Sequence, residues 1–414
     1  MRLIYLAALF TVLLGACTKP DEPTTGTGGG GTNTTSLLPL DESFNVGTGF
    51  KSPAGYPDVL GIYPAADGKM YITTVEGTMY NNTPVGPVCR INSDGSLDAS
   101  FSSFDAFDKG EGRVLDLKVL SDGHIAVVGI FKVHDPQGSF GITVLNPDGS
   151  PDPQFVKIGI GPGGKGLYCV EEDEQGRLIA GGEFTSLDGT AYTSNIVTYK
   201  RDGKPDLSVT WPVFNARVND IYRDNTNTLW IGGEFSKVGT QSSVHVAKLS
   251  SSGSVLAVST TLLNSRQPDG GVHSFIPTPD GKYYVLGCFS YVSGNQAVKN
   301  IIRLNSDLTT DPAFRYQNDI AYDAGNMFLC GALTSAGNLI VGGDFPYTGG
   351  NFGMIKANGS LDTRLEAVKG GTGEPGSFVR GIIIDQQKRY YMAGSFSFYE
   401  AKKAGGLVRL KGGE

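Results

Sequence analysis

The segment Leu178–Phe184 (LIAGGEF) recurs along this chain, with near-copies ending at Phe131, Phe235, Phe289, Phe345 and Phe396, spaced 51 to 56 residues apart. A period of this size carried by short apolar strands marks a radial or stacked repeat. One period before Phe131 lies Met70–Val75 (MYITTV), a degraded first copy, which makes seven.

The third copy shows what one repeat contains. Leu167–Val170 is a strand, a turn at Glu174-Gln175-Gly176 leads into Leu178–Phe184, and a loop leads to a third strand at Asn195–Lys200. The Asp202-Gly203 turn then precedes a short closing segment near Pro205–Val209. Asp-Gly pairs of this kind also stand at Asp94-Gly95, Asp122-Gly123, Asp148-Gly149 and Asp280-Gly281. They suit hairpins because glycine accepts positive φ and the aspartate caps the turn. The 59 glycines among 414 residues are about twice the usual share and lack a G-X-Y period, so they too read as turns. The pattern predicts an all-β chain, a seven-bladed β-propeller with four-stranded blades.

Within the repeat, the glycine pair predicts a close approach by an aromatic ring of the neighbouring blade, with the phenylalanine as anchor of each blade interface. The residue between them is Glu183, Glu234 or Asp344 in three copies but Ile130, Cys288 and Ser395 in others. That variation favours a solvated or capping acid over a metal ring, and no metal site or cofactor is expected.

The two ends of the chain complement each other. Most repeats close with a motif like Leu97-Asp98-Ala99-Ser100-Phe101, whereas the last stops after Gly406–Leu410. The missing piece stands at the other end as Leu40-Asp41-Glu42-Ser43-Phe44. The N-terminal strand is therefore expected to complete the last blade and close the ring. The 375 residues from Leu40 to Glu414 hold seven periods of about 54.

Ahead of the repeats, Met1-Arg2 and the apolar run Leu3–Leu14 form an export signal ending in Leu14-Gly15-Ala16-Cys17, which resembles a bacterial lipobox. The expected organisation is a signal peptide at 1–16, a flexible Gly/Thr/Pro-rich tether at 17–36 from lipidated Cys17, and one propeller at 37–414. Thr18 after the cysteine favours the outer membrane, and Asp21-Glu22 resembles an acidic surface-export signal, so the chain is expected to face the cell exterior. Cys89, Cys169, Cys288 and Cys330 lie in apolar strands without metal-ligand spacing and are expected as buried free thiols. The formal charge of −7, with no basic stripe, disfavours a nucleic-acid partner, and none is expected.

The Ile301–Asp307 string, the Asn146–Ser150 turn, the Leu-Asp-x-x-Phe closings and the Gly-Gly-x-Phe strands together resemble the delta-60 repeat (DUF5122-type) β-propeller family from Leu40 onward. The resemblance implies a fold but no single activity. A propeller lipoprotein with this address is similar to accessory surface lipoproteins of TonB-dependent uptake systems. It implies a non-catalytic binding or docking module beside a SusC/SusD-like transporter, taking a glycan or peptide. The alternatives are a glycan-active hydrolase or lyase, and an adhesion or envelope scaffold.

Ligands of propellers enter at the mouth of the central channel, where the long loops carry many aromatics. Trp211, Tyr56, Tyr316 and Tyr322 are the candidate ligand-binding residues, with Trp230 expected in the core. Aligned inner strands place Asp116 and Asp220 at one position, and His273 and Arg380 at the one before. These four are the constellation able to support acid–base chemistry. The competing expectation is that they pair with each other and with water.

Overall fold

The computed structural model describes residues 38–103, 107, 112–132, 140–156, 165–187, 190–260, 270–293, 296–316, 327–347, 350–362, 378–399 and 402–412. The export signal, Cys17, the tether and Tyr322 lie outside the described residues.

Within the unit Ser36–Glu414, the first sheet pairs Val59–Pro64, Met70–Thr74 and Val88–Ile91, all antiparallel. The second pairs Arg113–Val119, Ile125–Lys132 and Phe140–Leu145. The third pairs Gly166–Glu172, Leu178–Glu183 and Ile196–Tyr199. The fourth adds a fourth strand to that plan: Val218–Arg223, Thr228–Gly233, Val246–Ser250 and Val255–Val258. Gly271–Pro277, Tyr283–Ser293 and Gln296–Leu304 make the fifth. Met327–Leu333, Leu339–Tyr347 and Gly350–Ile355 make the sixth, and Phe378–Ile384, Tyr390–Ser395 and Leu407–Leu410 the seventh. The first strand of each sheet packs against the first strand of the next, and Phe378–Ile384 packs against Val59–Pro64. We call these the inner strands. This is an all-β, propeller-like fold.

Among the described residues the expected fourth strand is full only in the fourth sheet. Elsewhere the closing segment makes a single bridge, such as Ile91 with Leu97, Leu145 with Pro151 or Tyr199 with Pro205. The aspartate after the bridging residue folds the chain into a side-chain-capped turn: Asp98 Oδ1 accepts the Ser100 amide at 3.0 Å and its hydroxyl at 2.6 Å, and where the bridging residue is proline, as at Pro151 and Pro205, a ladder donor is missing as well. Val255-Leu256-Ala257-Val258 lacks both residues and stays extended.

Every inner strand carries one extra residue against its partner at the same place: Leu60, Leu115, Tyr168, Asn219, His273, Leu329 and Arg380. Such a bulge bends the strand and re-aims a side chain. It also explains the second glycine of the repeat. A Cβ on Gly129, Gly182, Gly233, Gly287, Gly343 or Gly394 would stand 1.9 to 2.2 Å from a carbonyl oxygen of the bulged strand opposite. The first glycine has a different neighbour. On Gly181, Gly232 and Gly342 a Cβ would meet Val218, Val272 and Val379 of the following inner strand at 2.5 to 2.6 Å. The expected aromatic ring is thus replaced by the bulged carbonyl at the second glycine and by a valine at Gly181 and Gly342, while at Gly232 the ring of Phe275 from the following sheet also approaches, to 2.9 Å.

The core is divided among the interfaces between neighbouring sheets. One cluster joins Ala126, Val128 and Ile142 of the second sheet to Leu167, Val170 and Phe184 of the third. Another joins Cys169 and Ile179 of the third to Val218, Phe235 and Ile231 of the fourth. Tyr391, Ala393 and Leu407 of the seventh sheet share a cluster with Val59, Ile62 and Ile72 of the first. The repeated phenylalanines sit in these interfaces, all at 4% exposure or less, as anchors. Burying each contributes about 2–3 kcal/mol.

A second recurring device ties the third strand to the closing segment in the first, fifth and seventh sheets. Arg90 Nε donates to Asp98 Oδ2 at 2.6 Å while its guanidinium lies over Phe101 and Tyr71, at 5.0 and 5.8 Å. Arg303 does the same with Asp311, Phe314 and Tyr284, at 2.7, 5.2 and 5.5 Å. Arg409 does so with Asp41, Phe44 and Tyr391, at 2.7, 4.9 and 5.7 Å. In that last case the aspartate and phenylalanine come from the start of the chain. Leu40 bridges Leu410, and the Asn45 amide donates to the Asp94 carbonyl at 2.8 Å, as the Ser102 amide donates to Asp148 at 2.9 Å.

Candidate functional site

The inner strands of adjacent sheets share no ladder, so their amides need other partners. Asp116 supplies one: its Oδ1 accepts the Leu117 amide and its Oδ2 the Val170 amide of the next inner strand, both at 2.8 Å. Asp220 Oδ2 accepts the Phe275 amide of the next strand at 3.0 Å. The bulged Asn219 adds a third crossing, its Nδ2 donating to the Val272 carbonyl at 3.0 Å. These side chains are staples between strands.

Enclosure has an electrostatic consequence. Burial pushes the Asp116 carboxyl up to about 6, against the pull of its amide donors. Burial, reinforced by repulsion from Asp116, pushes Asp220 up to about 7. Cys169 lies on the strand between them, and burial together with both carboxylates pushes its thiol well up. Glu171, which sequence reasoning passed over, pairs with Lys118 at 2.5 Å. Of the four acid–base candidates, Asp116 and Asp220 act on one another through their charge, each stapled to a different neighbouring strand. His273 sits at the bulge of the strand that Asp220 staples. Arg380 stands apart with Asp58, at 3.2 Å.

At the bulged ends a second layer of charge appears. The acids of the Gly-Gly-x-Phe strand face the residues entering the inner strand. Glu183 pairs with Lys165 at 3.0 Å, and Glu234 with Arg217, whose guanidinium also lies 4.6 Å over Tyr168. Asp58 accepts from Arg380 and, at 3.0 Å, from the Ser395 hydroxyl on the same oxygen. Asp344 is raised by burial and opposed by Arg380. Asp58, Arg113 and Arg217 were not among the sequence candidates. Their signal is faint, a charged residue just before the first apolar position of an inner strand.

The aromatic candidates divide. Tyr56 is 53% exposed. Trp211 is 4% exposed, its indole N–H donating to Thr198 Oγ1 at 3.1 Å, so the expected open platform is core instead. The long loop folds back because that N–H finds an acceptor on the third strand of the preceding sheet. Tyr316 is likewise buried, edge-on to Phe328 at 6.0 Å. Trp230 is core as expected, with its N–H on Asp224 Oδ2 at 3.1 Å. Cys89, Cys169, Cys288 and Cys330 are buried free thiols.

Residues 65–101, 120–155, 226–255 and 278–314 match the family described as domain of unknown function (DUF5122) beta-propeller. A search of the curated proteins found no match. Among solved structures, the extracellular domain of the one component system BT4673 from B. thetaiotaomicron is similar at 13% identity and a TM-score of 0.50, over 87% of this chain. This chain spans 39% of the length of that one. A catalytically inactive virginiamycin B lyase from Staphylococcus aureus, with quinupristin, is similar at 15% identity and a TM-score of 0.49, over 86% of this chain and 95% of that one. At such identities the likeness is one of fold.

Proposed function

We propose, from the premise that this chain is built of DUF5122 β-propeller repeats, that it is a surface-exposed outer-membrane lipoprotein acting as a non-catalytic binding and docking module. Its repeats form seven blades closed by the N-terminal segment, and residues 17–36 tether the ring to a lipid on Cys17. The ring presents its bulged, charge-lined end to a glycan or peptide and serves as an accessory of a SusC/SusD-like uptake complex.

One observation carries the non-catalytic part: the two inner-strand acids able to act as general bases are engaged by backbone amides of neighbouring strands. A base must be free to reach a substrate proton. The bulged ends, by contrast, hold exposed Tyr56 and a layer of ion pairs, groups suited to recognition. Affinity purification of the lipidated chain from outer membranes tests the proposal. A TonB-dependent transporter should co-purify, and Cys17→Ser should abolish that recovery. Recovery of the chain alone from intact membranes would refute the docking role.

A second reading rests on Asp220. A carboxyl titrating near 7 beside a strand bearing His273 has the pKa a general acid needs. An enzyme acting on glycans would lose turnover with Asp220→Asn while retaining substrate binding. The docking module would show no turnover to lose.

A further inference from the structure

The bulged residues of the inner strands make one set. Each stands at the same register position of its strand, and each inner strand packs against the next, the seventh against the first. Taken in that order, the set has two sides. Tyr168, Asn219 and His273 are consecutive, and all three can hydrogen-bond. Leu329, Leu60 and Leu115 make the other side, interrupted only by Arg380, which Asp58 holds at 3.2 Å. Contacts tie the polar side together. The guanidinium of Arg217, two residues before Asn219, lies 4.6 Å over the Tyr168 ring. Asn219 Nδ2 donates to the Val272 carbonyl at 3.0 Å, one residue before His273. All three polar side chains are half-buried, neither core nor open surface. Charge beside them cancels: Arg217 is paired with Glu234, and Lys165, three residues before Tyr168, with Glu183 at 3.0 Å. Asp116 and Asp220 directly follow two of the bulges and disfavour an anion, while Arg380 disfavours a cation.

We propose that Tyr168, Asn219 and His273 form a binding subsite for an uncharged sugar ring, with Leu329, Leu60 and Leu115 as its apolar side. Sugar hydroxyls both donate and accept, as these three side chains do between them. The face of Tyr168 away from Arg217 suits the C–H face of the sugar. An extended peptide fits less well, because it pairs along an open sheet edge, whereas the inner strands offer one side chain each at a single level. The proposal rests on the reading of the bulged end as a ligand site, and names the class of ligand.

The test titrates the full chain at pH 8, where an ordinary histidine is neutral. The probes are the neutral sugars maltotriose, cellotriose and mannotriose, the acidic trigalacturonate, and the uncharged peptide N-acetyl-trialanine amide. At least one neutral trisaccharide should bind about tenfold or more tightly than the acid and the peptide. Tyr168→Phe keeps the ring beneath Arg217, so it should leave the melting temperature in place while weakening that sugar about two- to tenfold through one lost hydrogen bond. His273→Leu, two inner strands away, should weaken the same sugar. No binding of any neutral trisaccharide, a preference for the acid or the peptide, or unchanged affinity in both variants would each overturn the subsite. Co-purification of the wild type with a transporter is read separately: it persists if this inference alone fails, and is absent if the docking reading fails.

Discussion

At the scale of single residues, the inner-strand acids make stability depend on pH in an unusual direction. Asp116 and Asp220 release their protons at about 6 and about 7 in the folded chain, against 3.8 for an ordinary aspartate. Between those values the folded state holds more protons than the unfolded one, so stability falls as pH rises from about 4 through 7. Asp98 and Asp311 work the other way. Their burial is outweighed by amide, lysine and arginine partners, so what they contribute is present above 3.8 and lost in acid. The melting temperature should therefore peak near pH 4 to 5 and decline toward pH 8. Asp220→Asn, which keeps an acceptor for the Phe275 amide, should flatten the decline in melts taken across that range. The glycines give a second prediction at this scale. Gly182→Ala sets a methyl 2.2 Å from the Gly166 carbonyl and should destabilise by about 3 kcal/mol or more in urea titration. Gly281 sits at φ +77° with nothing near its missing Cβ, so Gly281→Asn should change stability by about 1 kcal/mol at most.

At the scale of the element, the closing segment is held by a buried charge as much as by strand pairing. Asp311 answers both Arg303 at 2.7 Å and Lys282 at 3.0 Å, and removing it leaves an arginine stacked on Tyr284 and Phe314 without its counterion. Asp311→Ala should cost about 3–5 kcal/mol by chemical denaturation. Asp122, half-exposed against Arg201 at 3.1 Å, should cost less than about 1 kcal/mol when replaced by alanine. The contrast shows what could be read in advance. Asp-Gly turns, glycine pairs and Leu-Asp-x-x-Phe closings are local and repeat, so strands and period were legible from the chain alone. The bulges were not, because one extra residue disturbs the alternation of a strand only once, yet they decide which side chains face the site. Trp211 was misplaced for a related reason: its loop reads as open surface until the preceding sheet supplies Thr198 as acceptor.

At the scale of the whole molecule, the question is whether the two chain ends act as one blade. If they do, Arg409 and Asp41 are the long-range version of Arg90 and Asp98, with the same 2.6 to 2.7 Å contact, the same tyrosine and the same phenylalanine stack. A double-mutant cycle compares them on equal terms, since coupling between paired charges is measurable apart from the cost of each single change. The local pair must couple, because its members lie 8 residues apart on one hairpin. The terminal pair is separated by 368 residues and couples only if the N-terminal segment occupies the last sheet in solution. Closure predicts coupling energies equal within about 0.5 kcal/mol, and a melting temperature that drops sharply when Leu40–Phe44 is deleted. Coupling near zero for Arg409 and Asp41, beside normal coupling for Arg90 and Asp98, would mean the ring is open. The seventh sheet would then end on an unpaired strand edge, and such edges recruit other chains, so an open ring should also aggregate as concentration rises. A ring held shut by its own N-terminal segment lacks that edge, and should aggregate less than the chain from which Leu40–Phe44 is deleted.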